Sequence, residues 1–313
     1  MSLQIVGIYS DIAASKRGAA KGVDVLMGLL QKSYSAMVEK EIKIINNRNP
    51  KAEKASYAKN IQEIYDFFKD DLIPKMKNVF QEKSFPLIFS GDHSSALGTI
   101  QALKSSYPQK SIAIVWIDAH SDIHTPYDSS SGNIHGMPLG GVVNVAKSGE
   151  NILDKNIENQ WEKLCTLGGD GEIKPQNIVY IGTRSMEKSE RDIIKKFNIP
   201  LYQVSQIRKD TVGSIDKIIS YLDFVDMVYL SVDIDVLDGK IFTSTGVREN
   251  NGLYPDELDK CIKLIIEGLN QKLVAVEFTE FNPTLEDSNH NRDNEVLLNI
   301  ITNTIDSLKK LFP

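Results

Sequence analysis

Cysteine is nearly absent: Cys165 and Cys261 are the only two in 313 residues. Two thiols cannot staple a disulfide scaffold, so the fold has to rest on an ordinary hydrophobic core with its thiols reduced. No apolar stretch approaches the roughly 18 residues that a membrane-spanning helix needs. The opening M-S-L-Q-I-V lacks the basic segment and apolar core of a secretory signal, which predicts a cytoplasmic protein with no membrane partner. Excess positive charge is missing too. Against 42 Asp and Glu stand 36 Lys and Arg, a formal net charge of -6, which argues against a nucleic-acid partner. The glycine-bearing L-G-G-D-G-E at 167–172 has no Walker or dinucleotide pattern around it and reads as a surface loop. No internal repeat, low-complexity tract or Pro/Gly/Ser-rich linker divides the chain.

Histidine is also scarce, with five in the chain, and four of them, His93, His120, His124 and His135, fall between residues 93 and 135. At 111–122, S-I-A-I-V-W-I-D-A-H-S-D, an apolar run ends in Asp118, His120 and Asp122 at every second position. A strand hides such a run and releases its polar end to a loop, where the three side chains can converge. P-L-I-F-S-G-D-H-S at 86–94 breaks at Gly91 and presents His93 just before a helical pattern. M-V-Y-L-S-V-D-I-D-V-L-D at 227–238 places Asp233 and Asp235 two apart at the end of a third run. Taken singly, each is an ordinary strand end, turn or helix cap. Three apolar runs that all end in metal-ligating side chains point instead to a metal site.

Ligand type sets the chemistry. Two imidazoles and four carboxylates, with neither cysteine nearby, form a hard, oxygen-rich set that suits Mn²⁺ better than structural zinc. Six protein ligands exceed what one ion takes while keeping a position open. Two ions sharing carboxylates fit the count, with a bridging water acidified toward hydroxide.

Eight strand-like runs lie near 3–9, 40–46, 86–91, 111–118, 177–183, 200–204, 227–234 and 272–279. Helical patterns occupy 22–34, 57–80, 94–106, 187–197, 212–223, 256–269 and 293–311, while 144–176 is less regular. This alternation predicts an α/β fold, a three-layer α/β/α arrangement around a parallel, roughly eight-stranded sheet, with ligands gathered at the carboxyl ends of the strands.

G-D-H-S at 91–94, D-A-H-S-D at 118–122, S-G-N-I-H-G at 131–136, S-V-D-I-D at 231–235 and E-F-N-P at 280–283 resemble the motifs of the ureohydrolase superfamily, and of arginases most of all. They come in the family's order and span nearly the whole chain, so residues 1–313 are read as a single arginase-like catalytic domain. The resemblance implies two Mn²⁺ per subunit on His93, Asp118, His120, Asp122, Asp233 and Asp235, with Asp122 and Asp233 among the bridging groups. It implies hydrolysis of a guanidino compound, L-arginine and water giving L-ornithine and urea, through a metal-bridging hydroxide. His135 would deliver a proton to the leaving amine, and Glu280 would orient the guanidinium. Position alone leaves Glu277 open for that last role; the resemblance favours Glu280.

Substrate choice belongs to the far end of the pocket. The resemblance implies that Ser131 and Asn133, with Ser129 as a third candidate, meet an α-carboxylate, and that Glu187 and Glu190 meet the α-amino group. E-K-S-E at 187–190 also suits first-turn acidic capping of a helix. An S-G-N segment argues for an amino-acid substrate, and formiminoglutamate, agmatine or another guanidino compound are the alternatives. His124 stands where arginases carry asparagine beside the carboxylate site, Glu187 replaces aspartate, and Val247 and Arg248 replace a Thr-Pro pair. Arg248 reads either as a surface residue or as a contact for a second carboxylate. The resemblance further implies a homo-oligomer, a trimer or hexamer.

Overall fold

Unbroken runs of Ile, Val, Leu and aromatic residues suit strands buried on both faces, the habit of a parallel sheet covered by helices on each side. A computed structural model describes residues 2–34, 38–48, 57–145, 149–169, 173–285, 287 and 289–311. Its eight strands are β1 (Leu3–Tyr9), β2 (Val38–Ile45), β3 (Phe85–Ser90), β4 (Ile112–Ile117), β5 (Ile178–Ile181), β6 (Leu201–Tyr202), β7 (Met227–Asp233) and β8 (Leu273–Thr279). They form one sheet in the order β2-β1-β3-β8-β7-β4-β5-β6. Every pairing is parallel. The expected eight-stranded parallel sheet is present, and the run 200–204 is the one most shortened. There Gln203 leaves the strand to form a capping box with Gln206, so the chain turns into the helix Val204–Lys209 after two residues.

Alternation along β4 shows the layers. Ala113, Val115 and Ile117 face one core, with the helices Ala19–Tyr34, Thr211–Tyr221, Pro255–Leu269 and His290–Leu311. Ile112, Ile114 and Trp116 face the other, with Ile61–Phe67, Ile73–Gln81, Ser95–Ser106, Lys155–Cys165 and Lys188–Phe197. Leu297, Ile300, Ile301 and Ile305 recur at helical spacing, which packs the last helix onto the sheet as its pattern predicts. None of the helices among the described residues is long and apolar enough to cross a membrane.

Two helical expectations change in detail. The helix expected over 57–80 starts at Ile61, after a turn at 57–60, and carries a π turn at Phe68–Leu72 immediately before the segment containing Pro74. Proline has no N–H for Asp70 and its ring crowds that carbonyl, so the widened turn absorbs the mismatch. The irregular stretch 144–176 contains a helix, Lys155–Cys165, whose N-terminus Asp154 caps through Asn156 and Ile157. Only Trp161, Leu164 and Cys165 of it are buried, too few apolar positions to announce a helix in the sequence. Residues 170–172 of the glycine-bearing loop lie outside the described residues.

Candidate active site

The sheet order makes β3, β8, β7 and β4 neighbours at the centre, so whatever follows their carboxyl ends shares one patch of space. After β3 the chain turns at Gly91, where a Cβ would sit 2.1 Å from the Ser10 carbonyl oxygen, and delivers His93. After β4 come Asp118, His120 and Asp122, the last in left-handed backbone at φ 49°. β7 ends at Asp233, and a short 3₁₀ turn brings Asp235 back, its N–H donating to Asp233 at 2.8 Å. Glu280 follows β8, also left-handed at φ 64°. Two such non-glycine residues, each costing about 1–3 kcal/mol in conformations that side chains disfavour, fall on candidate functional positions.

These side chains meet as two groups, His93 with Asp118 and Asp233, and His120 with Asp118 and Asp235. Asp118 is the carboxylate both groups share, a bridging candidate beyond the expected Asp122 and Asp233. Asp118 leaves β4 between the two imidazoles, and Asp122 places Oδ2 3.1 Å from His93 Nδ1. His93 Nδ1 is also 3.1 Å from Asp118 Oδ2 and 3.2 Å from Asp233 Oδ2. His120 Nδ1 lies 2.9 Å from Asp235 and 3.6 Å from Asp118.

Hydrogen bonding on the far side of the His93 ring decides what Nδ1 can do. Ser231 donates to Glu277 at 3.1 Å, so its oxygen receives the His93 Nε2–H at 2.8 Å. In the neutral ring the proton therefore sits on Nε2, and the Nδ1 lone pair faces three carboxylates. His93 Nδ1 and Asp118 Oδ2 are buried, and close as they are, neither completes a well-directed hydrogen bond. A cation at that point satisfies all of these atoms, and a mixed carboxylate and imidazole donor set is what a hard divalent ion takes.

Titration tells the same story. Burial, then the charge of Asp118, pushes Asp122 up to about 7. Burial and Asp235 raise Asp233 well above the carboxylate range, and burial raises Asp235. Asp118 moves the other way: burial opposes its charge, but the adjacent His120 and His93 imidazoles hold it below the usual range. Burial likewise opposes charge on His93 and His120, yet the surrounding carboxylates push both well above the usual imidazole value. The cluster thus holds protons tightly, as an anionic site short of positive charge must.

Glu277 and Glu280, inseparable by position, separate in space. Glu277 is wholly buried within the sheet, accepting hydrogen bonds from Ser90 at 2.6 Å, Tyr229 at 2.8 Å and Ser231. Glu280 stands at the strand end, where Oε1 accepts the His93 backbone N–H and pairs with His135 Nδ1, both at 3.0 Å. Burial opposes charge on His135, but Glu280 outweighs it and raises the imidazole to about 9; the same contact lowers Glu280.

A cavity of about 390 Å³ opens onto His120, Asp122 and His135. Ser131, Asn133, His124, Glu187 and Glu190 also line it. Ser129 is buried and is not among the wall residues; its hydroxyl oxygen accepts the Gly132 N–H at 3.0 Å, closing the local turn. Its neighbour Ser130 takes the cavity wall and donates to Glu187 at 2.7 Å. Glu190 is committed to the capping box with Glu187 and to Ser121 at 2.5 Å, with His124 Nε2 3.3 Å away. The capping role read from the sequence is therefore real, and Glu187, half exposed, is the freer of the two acids. His124 is held by Asp128 at 2.9 Å. Val247 lines the cavity, while Arg248 forms a two-pronged pair with Asp287 at 2.8 and 2.9 Å, so the arginine's surface reading holds. Ser185, Met186 and Glu249 line the cavity without any signal in their local sequence.

The arginase family's model matches residues 1–305 of this chain. An arginase of Staphylococcus aureus (strain MRSA252) is 33% identical over 243 residues, covering 77% of this chain and 74% of its own. An arginase of Bacillus subtilis (strain 168) is 29% identical over 299 residues, covering 92% and 93%. The crystal structure of Helicobacter pylori arginase is similar with a TM-score of 0.86 at 43% identity, covering 98% of this chain and 99% of that one. With the match running through all four central strands and every strand-end motif, the chain belongs to the arginase family.

Proposed function

We propose that residues 1–313 act as one Mn²⁺-dependent hydrolase that converts L-arginine and water to L-ornithine and urea. The observation that carries this reading is the convergence, at the ends of four adjacent strands, of two carboxylate and imidazole groups sharing Asp118, beside the His135–Glu280 pair. His93, Asp118, Asp122 and Asp233 would hold one ion, and His120, Asp118 and Asp235 the other. When bound, the ions supply Lewis acidity and a water acidified enough to attack at neutral pH.

The chain's own side chains do the rest. Glu280 accepts no second-oxygen hydrogen bond among the described residues, which leaves Oε2 to take a guanidinium N–H by a charge-assisted bond and fix the carbon in place. His135, raised to about 9, is protonated at neutral pH and stands beside that carboxylate, ready to give its proton to the departing amine. Ser131 and Asn133 supply donors for an α-carboxylate, and Glu187 a partner for the α-amino group.

Urea release from L-arginine should be measured with Mn²⁺, beside agmatine and a metal-free control. Mn²⁺-dependent urea from arginine, abolished in Asp122→Ala and Asp233→Ala, is the expected result. Release from agmatine alone would move the substrate to an amine without a carboxylate, and near-normal activity in either variant would sink the two-ion site.

A further inference from the structure

The cavity wall carries Asp122, Glu187, Glu190 and Glu249 but neither lysine nor arginine. An amino-acid substrate brings its own carboxylate into this acidic surround, where Ser131 and Asn133, with the His124 imidazole beside them, would have to hold it. One cation reaches that end from outside the wall. Lys59, in the turn before the helix Ile61–Phe67, donates from Nζ to Asn133 Oδ1 at 3.1 Å. Its backbone N–H donates to the Gly132 carbonyl at 2.8 Å, so lysine and S-G-N loop are tied at two points.

The turn is built to hold this position. Ala58 is fully buried, and Asn60, in left-handed backbone at φ 57°, donates from its side chain to the Ile12 carbonyl at 2.9 Å. Among the described residues, no carboxylate lies within ion-pair distance of Lys59. An ammonium only donates, so it fixes the Asn133 amide with oxygen toward the lysine and leaves the NH₂ group for another acceptor. Withdrawing electron density through the amide also makes that NH₂ a stronger donor.

We propose that Lys59 is a specificity-determining residue: through Asn133 it makes the cavity select guanidino compounds that bear a carboxylate. It acts as a positioning residue, orienting and polarising the amide that meets the carboxylate. The inference rests on the substrate reading above. Losing a charge-assisted hydrogen bond of this kind should raise the arginine KM about tenfold in Lys59→Met, with a far smaller change in kcat. Lys59→Arg, which keeps the charge and the donors, should recover most of the loss.

Binding of L-ornithine and of putrescine to the Mn²⁺-loaded protein, measured by calorimetry, reads the same contrast without turnover. Wild type should prefer ornithine, and Lys59→Met should lose that preference while putrescine binding stays put. An unchanged arginine KM in Lys59→Met, equal weakening of both ligands, or no ornithine preference in wild type overturns the role of Lys59. Failure of wild type to release urea from arginine overturns the substrate reading instead, and the ornithine and putrescine contrast then decides Lys59 by itself.

Discussion

The imidazole of His93 lies flat on the indole of Trp116, ring centroids 3.9 Å apart and planes within 7°. Stacking fixes the plane of the ring, and the Ser231 hydroxyl at Nε2 fixes its rotation within that plane. Together they aim Nδ1 at Asp118, Asp122 and Asp233. Trp116 is wholly buried, so Trp116→Ala should cost about 3–5 kcal/mol of stability by leaving a cavity. Trp116→Phe, which keeps a ring face, should lose less. Both should bind Mn²⁺ more weakly, in the order Ala below Phe. Urea unfolding and Mn²⁺ titration test this, and wild-type metal affinity in Trp116→Ala would show that the stack orients nothing.

Glu277 supports the same histidine from one step further back. Its carboxylate gathers the hydroxyls of Ser90, Tyr229 and Ser231, drawn from the two strands that flank its own, and Ser231 passes the constraint to His93. Glu277→Ala should leave three buried hydroxyls short of an acceptor, at about 1–3 kcal/mol each before relaxation. Loosening Ser231 should also lower metal affinity by about 10–100-fold, the range seen when partners of metal-bound histidines are removed. Glu277→Gln, nearly isosteric, should retain more of both. Metal affinity that stays at wild type while stability falls would confine Glu277 to the core.

Much of the site was legible in sequence because metal ligands come at strand ends, where an apolar run stops and acids and imidazoles begin. Asp118, His120, Asp233 and Asp235 needed only that pattern and the parallel sheet it implies. The partners that orient them did not show, since Trp116 and Ser231 sit inside runs that read as plain core. Their importance depends on which strand lies beside which, and a run does not name its neighbour. Lys59 lies 74 residues from Asn133, and only the folded loops bring them together.

Asp118 belongs to both candidate ion groups, while His120 and Asp235 belong to one. Unequal losses should follow. Asp118→Ala should release both ions, and Asp235→Ala should keep the ion on the His93 side. Elemental analysis after exhaustive dialysis gives the count directly. One retained ion in Asp118→Ala would remove its shared role and return that role to Asp122 or Asp233.

His135 and Glu280 act as a pair in the proposed reaction, yet for different ends. His135→Asn removes the proton donor and should cut kcat by about 10²–10⁴-fold, the usual worth of positioned general acid catalysis, with little change in KM. Glu280→Gln should raise KM as well, because it discards the charge that meets the guanidinium. It should also release His135 from its ion pair and drop the imidazole from about 9 toward 6.5, a shift that NMR titration can follow. An imidazole unmoved in Glu280→Gln would assign its basicity to other neighbours.

The metal-free protein should lose stability as pH rises. His135 has a folded pKa of about 9 against an ordinary 6.5, so its contribution is whole below 6.5 and disappears as pH passes through 9. His93 and His120 shift in the same direction. Asp122, raised to about 7, and Asp92, raised to about 6 by burial and Glu280, add loss in the window below, since the folded chain holds their protons longer than the unfolded one. Glu280 and Asp118, shifted down, lend stability lost only at the acid end, as pH falls through their lowered values. Between about pH 4 and pH 9 the net slope is therefore downward. Mn²⁺ replaces the protons on the cluster, so its stabilising increment should grow with pH as the ligands surrender them more readily. Scanning calorimetry across this range, with chelator and with Mn²⁺, measures both trends. A metal-free Tm that stays level or climbs toward pH 9 would mean that these imidazoles and carboxylates do not share the crowded space assigned to them.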